Sequence, residues 1–89
     1  MAGSMIGEAK KHISDANEQS VAAQKAIDAA KEAAGEALEL VKKAAEDSEH
    51  DLVLEAIKGY EKALEALEDA KKEITDAQAA ADKYAEEIG

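Results

Sequence analysis

The 89-residue chain has no cysteine, no proline, no tryptophan, no phenylalanine and no arginine. Without cysteine there is no disulfide framework and no thiolate nucleophile. Without proline the strongest helix breaker is missing from end to end. Tyr60 and Tyr84 are the only aromatic residues, little with which to line a substrate pocket. Apolar runs extend for only a few residues, against the ~20 that cross a bilayer, and no charged-then-apolar leader opens the chain. A membrane span and a Sec signal peptide are therefore not expected. Positive charge is also scarce. The Lys+Arg total of 11, all lysine, faces 21 acids for a net charge of −10, the wrong sign for phosphate backbones. Nucleic acid and membrane are not expected partners.

What is abundant is alanine, glutamate and lysine, a helix-favouring set. Met1-Ala2-Gly3-Ser4 reads as an expression scar ahead of Met5, which leaves residues 5–89 as one domain. Counting sevens from Ile6 gives Ile6, Ile13, Ser20, Ile27, Ala34 and Val41, and alanine follows each by three residues, from Ala9 to Ala44. Counting from Val53 gives Val53, Tyr60, Leu67, Ile74, Ala81 and Ile88. Here Ala56, Ala63, Ala70 and Ala77 follow at the same offset, and then Tyr84. With the first series labelled a and the second d, this is one heptad pattern written twice.

Between the two copies lies Glu46-Asp47-Ser48-Glu49-His50-Asp51, with no apolar residue at a seam position. Ser48 is placed to cap a second helix, with Asp51 reaching back as in a capping box. The expected fold is all-α: a long antiparallel two-helix hairpin, an alanine-rich coiled coil. Helix 1 is expected over about 5–46, the turn at 47–48 and helix 2 over about 49–88. Placing a against d pairs residues whose numbers sum to 97, such as Ala37/Tyr60 and Ile13/Tyr84, so that large side chains oppose alanines. Leucine at Ala30 or Ala37 should then overpack the seam. A three-helix arrangement with a turn at Gly35 is disfavoured, because the heptad passes through Gly35 in phase.

An alanine seam buries little area, so the hairpin alone should be weak. The flanking positions suggest a remedy. Position e holds Leu38, Ala45, Ile57 and Leu64 near the turn but Lys10, Asn17, Gln24, Lys31, Lys71 and Gln78 toward the open end. Leu40 and Leu52 stand at g, and Leu54 and Val21 at b. Leu38, Leu40, Leu52, Leu54, Ile57 and Leu64 are the candidate interaction residues, with Leu38, Ile57 and Leu64 expected to be buried by a second hairpin in a four-helix bundle. The lysines and glutamines of the open half are expected to stay wet.

Catalytic machinery is not visible: there is no glycine-rich phosphate loop, and neither histidine has the neighbours of a triad. His50 among Glu46, Asp47, Glu49 and Asp51 lacks the alternating ligands of a calcium loop, and no carboxylate occupies a or d as a di-iron bundle requires. No catalytic residue, metal site or cofactor is assigned. His12, at g, is expected to cover the open end of the seam.

The segment DSEHDLVLEAIKGYEKALEALEDAKKEITDAQAAADKYAEEI, Asp47 to Ile88, resembles small alanine-rich helical-hairpin proteins of actinobacteria that have no assigned function. In size and hairpin plan the chain is also similar to the WXG100 family of type VII secretion substrates and partners. The turn has no Trp-x-Gly, and Ile88 stands four residues after Tyr84, where that family's export signal has an acid. The expected function is a non-enzymatic protein–protein interaction module. It pairs with itself as a homodimer or with a related helical protein, or serves as adaptor for a larger, secreted protein. The alternatives are an inert structural or designed helical scaffold and, third, a metal or ligand carrier using the acidic turn. A cytoplasmic location is expected, with export without a Sec signal as the alternative.

Overall fold

The structure is a computed structural model that describes residues 2–46 and 50–89. It consists of α1 (Ala2–Ala44) and α2 (Asp51–Ile88), packed side by side as an antiparallel hairpin. The 43 residues of α1 at ~1.5 Å rise span ~65 Å, which matches a molecule of 69 × 15 × 14 Å. Its radius of gyration is 20.0 Å, against ~12 Å for a compact domain of this length. α1 continues through Gly35 without a break, because one interior glycine costs only ~1 kcal/mol against a long run of good helix formers. Neither described helix is long and apolar enough in any window to cross a membrane.

The helix ends differ in detail from expectation. α1 ends with Lys42 and Lys43 in its last turn, where cations oppose the negative end of the helix dipole. The chain then tightens, with Ala45 N–H donating to the Val41 carbonyl (3.0 Å) and Glu46 N–H to that of Lys43 (3.3 Å). The N-cap of α2 is His50 rather than Ser48, which lies outside the described residues. His50 has extended backbone angles (φ −61°, ψ 133°), and its ring Nδ1 accepts from the Leu52 N–H at 3.2 Å. Its carbonyl accepts from Val53 (3.0 Å) and Leu54 (3.2 Å). A ring nitrogen two residues upstream thus satisfies a helix-start donor usually met by a short oxygen-bearing side chain. Asp51 then opens the helix with the charge its dipole prefers.

The seam runs along a different line from the expected one. Positions a and e are shielded along most of the seam, Ile6 and Lys10 at the open end being exposed. In α1, Ile13, Asn17, Ser20, Gln24, Ile27, Lys31, Ala34, Leu38, Val41 and Ala45 are half-buried or better. In α2 the shielded a and e residues run from Val53, Ile57, Tyr60 and Leu64 down to Ala81, Ala85 and Ile88. The d alanines border this line: Ala9, Ala23, Ala37, Ala56 and Ala70 are half-buried, while Ala16, Ala30, Ala44, Ala63 and Ala77 are exposed. The cause is the size of the side chains near the turn. Burying Leu38, Ile57 and Leu64 is worth ~1.5–3 kcal/mol each, against ~0.8 for an alanine methyl. Each helix therefore turns about 50° from the a/d orientation, half a residue's step, to bring e inward.

Candidate functional site

Once the turn half sets the rotation, a continuous helix carries the polar e residues of the open half into the same seam. Asn17, Gln24, Lys31 and Lys71 are half-buried there and find partners at b on the facing helix. Asn17 Nδ2 donates to Asp82 Oδ1 at 2.6 Å, and Gln24 Nε2 to Thr75 Oγ1 at 3.1 Å. Thr75 Oγ1 in turn donates to the Lys71 carbonyl at 3.0 Å. Lys71 Nζ donates to Asp28 Oδ1 at 2.7 Å, and Lys31 pairs with Glu68. At the open end the Lys10 side chain fills the space where a Cβ at Gly89 would stand.

The numbers in each of these interhelical pairs sum to 99, within two of the sum of 97 expected for residues that meet across the seam. The signal for this seam was present in the sequence: Leu38/Val41, Ile57/Tyr60 and Leu64/Leu67 are pairs of large residues three apart that join e to the next a. The alanine series was the more regular pattern but offered less area.

The bridges have electrostatic consequences. The hydrogen bond from Lys31, followed by its charge, holds the Glu68 carboxyl below its ordinary value. The hydrogen bond to Asp28 holds the Lys71 ammonium above its ordinary value, against partial desolvation. Both groups are exposed enough to be screened by solvent, so the bridges set register and orientation more than stability.

Bridging through e and b gives the ribbon two unlike faces. In an antiparallel pair like flanks meet, so the b positions of both helices share one face and the d positions share the other. The b face carries the polar bridges. Beyond it every f position from Lys11 to Glu86 is charged except Ala79. The d face carries alanine at every position from Ala9 to Ala77, then Tyr84. The g line at its border adds Met5, Ala26, Ala33, Leu40, Leu52, Gly59, Ala66 and Ala80.

The six candidate interaction residues divide between interior and surface. Leu38 is the one buried hydrophobic residue among those described, 7% exposed, and Ile57 and Leu64 are half-buried beside it. A second hairpin was expected to bury all three; within one chain Leu38 is already covered, and Ile57 and Leu64 are covered in part. Leu40 (65% exposed), Leu52 (68%) and Leu54 (50%) remain outside around the turn end. Tyr84, expected on the seam, is 54% exposed because d has rotated out of it. His12 is exposed rather than packed over the open end, since g points farther away still. Asn17, Gln24, Lys31 and Lys71, expected to be wet, are the bridging residues that pattern reading missed.

Among the described residues no group of three or more His, Asp or Glu side chains is arranged to hold a metal. Three shallow surface depressions are each lined by a single helix, one of them by Ala56, Gly59, Tyr60 and Ala63 on the d face. No protein family, curated protein or solved structure matches the chain.

Proposed function

We propose that the chain is a non-enzymatic interaction module, a helical hairpin completed by pairing with itself or by docking to a related helical protein as an adaptor. The observation that carries this reading is the thinness of the interior. Leu38 alone is buried among the described hydrophobic residues, while Leu40, Leu52, Leu54 and Tyr84 stay half or more exposed. The accessible surface of 6678 Å² exceeds the ~5,000 Å² of a compact monomer of this mass by about a third. A two-helix layer leaves one side of each helix without a neighbour, and apolar side chains on that side have nothing within the chain to be buried against.

The test is sedimentation equilibrium with thermal melting over a wide range of protein concentration. The expected result is a melting temperature that rises with concentration, as mass action requires when only the assembled form gains contacts. A chain that stays at 9.4 kDa and melts cooperatively at a concentration-independent temperature would be self-sufficient. The inert scaffold would then replace the interaction module.

A further inference from the structure

We propose that a second copy of this chain docks face to face on the d face with its turn at the opposite end, each Tyr84 seating on the groove formed by Ala56, Gly59 and Ala63 of the other copy. This rests on the interaction-module reading and specifies its surface and partner.

The face is distinguished first by charge. In a chain that is 36% charged, Glu73 and Glu87 are the only charged residues at d or g from Met5 onward among the described residues. Four of the large exposed apolar side chains, Met5, Leu40, Leu52 and Tyr84, lie on it. Its direction is the second argument. The centre of the d/g line lies roughly 100° around each helix from the centre of the a/e seam. Two apolar lines about a quarter turn apart are what a helix presents in a four-helix bundle. The third argument is area. A ribbon face 69 Å long and about 14–15 Å wide offers a footprint on the order of 1,000 Å² per copy, above the ~800 Å² per partner of a standard stable interface.

Gly59 selects the register. A Cβ built there meets nothing within 4 Å, and the residue lies inside α2 with no positive φ. The hairpin itself therefore does not require glycine at this position, where alanine would favour the helix. Glycine does let a bulky side chain approach the backbone closely. The d face has one bulky d residue, Tyr84, to make that approach. When Tyr84 of one copy is level with Gly59 of an antiparallel copy, the twofold axis passes between Lys71 and Lys72. That point is also close to the midpoint of the hairpin's length, so the register that seats both tyrosines also overlaps the two ribbons almost from end to end. In the same register Ala77 meets Ala66, Ala63 meets Ala80 and Ala70 meets Glu73, so each d residue of α2 faces a g position of the other copy. The contact is isologous and closes as a dimer.

Because the chain has no cysteine, single-cysteine variants report the geometry directly. Ala70→Cys lies beside the axis and should give a disulfide-linked dimer on mild oxidation. Thr75→Cys, on the bridged face, should not. Ala56→Cys should not either, because its two copies would sit some ~45 Å apart along the axis. Gly59→Leu fills the groove without touching the hairpin and should keep or raise helicity while weakening dimerisation at least about tenfold, the effect of a central hot spot. Gly35→Leu, equally unobstructed in the hairpin but on the other face, should leave dimerisation unchanged.

Cross-linking through Thr75→Cys or Ala56→Cys in place of Ala70→Cys would overturn this arrangement while leaving the module reading intact. So would a monomer that is only partly helical at all concentrations. A monomer that is fully helical and cooperative would remove both.

Discussion

His50 caps α2 with a ring nitrogen, and that choice fixes what substitutions should do. Nδ1 accepts the Leu52 N–H, so His50→Ala leaves an orphan donor and should destabilise the hairpin by ~0.5–2 kcal/mol, with His50→Asn recovering most of the loss. Urea denaturation of the three proteins checks the order. Glycine gives a second prediction. A Cβ at Gly35 would meet nothing within 4 Å, so Gly35→Ala should stabilise α1 by ~1 kcal/mol, read as an increase in midpoint temperature. Leu38 is the opposite case. As the one buried hydrophobic residue described, its truncation to alanine should cost ~2–5 kcal/mol, whereas Ala30→Leu, now on an exposed position, should no longer overpack the hairpin. The uninterrupted passage of α1 through Gly35 was legible in the sequence because it depends on neighbours a few residues away, whereas the cap at His50 was not, because Ser48 offers the more usual capping oxygen. The roles of Tyr84, Asn17 and Gln24 depend on the facing helix, and pattern reading misplaced them.

At the scale of the helices, the bridges join one end of the seam and the leucines the other. Glu68 has a depressed value, so its contribution is present above the ordinary glutamate range and is lost as pH falls through that depressed value. Lys71 has a raised value, so its contribution is present below the ordinary lysine range and is lost as pH rises through the raised value. Stability should therefore hold across neutral pH and decline at both extremes. Glu68→Gln should flatten mainly the acid limb and Lys71→Met mainly the alkaline limb, in melts taken as a function of pH, each with a smaller effect on the other limb because the two charges also act on one another. Salt should weaken both bridges and leave the Leu38 end unaffected. Hydrogen exchange should consequently slow toward the turn half, where burial rather than screened charge holds the helices together. Two helices were legible from the heptads, because a repeating period depends only on local sequence; the turn expected at 47–48 lies outside the described residues.

For the whole molecule, charge and apolar surface act against each other. A net charge of −10 per chain repels a second copy, so self-association should strengthen as salt rises over the range where the Debye length falls toward ~8 Å. Sedimentation equilibrium at low and moderate salt checks this. The direction is opposite to that expected for the internal bridges, so salt should loosen the open end of each hairpin while favouring the pair. Composition excluded a disulfide framework and argued against nucleic acid before any fold was considered, because those arguments rest on what residue types can do wherever they lie.

The amino-acid sequence by itself determined that this protein is two long helices packed as a hairpin, and that position a faces inward. It left two flanks open, since d and e both lie within about 60° of a on a helix and either can complete a seam. Choosing between them is a sum over both helices at once. A few leucines and isoleucines near the turn outweigh many alanines, and the rigid helix then transmits that rotation to Asn17, Gln24, Lys31 and Lys71. Only the tertiary structure decided this, along with the e-to-b bridges that follow from it. It therefore also decided that the d alanines, the most regular feature of the sequence, border the seam, with alternate ones half-buried and exposed.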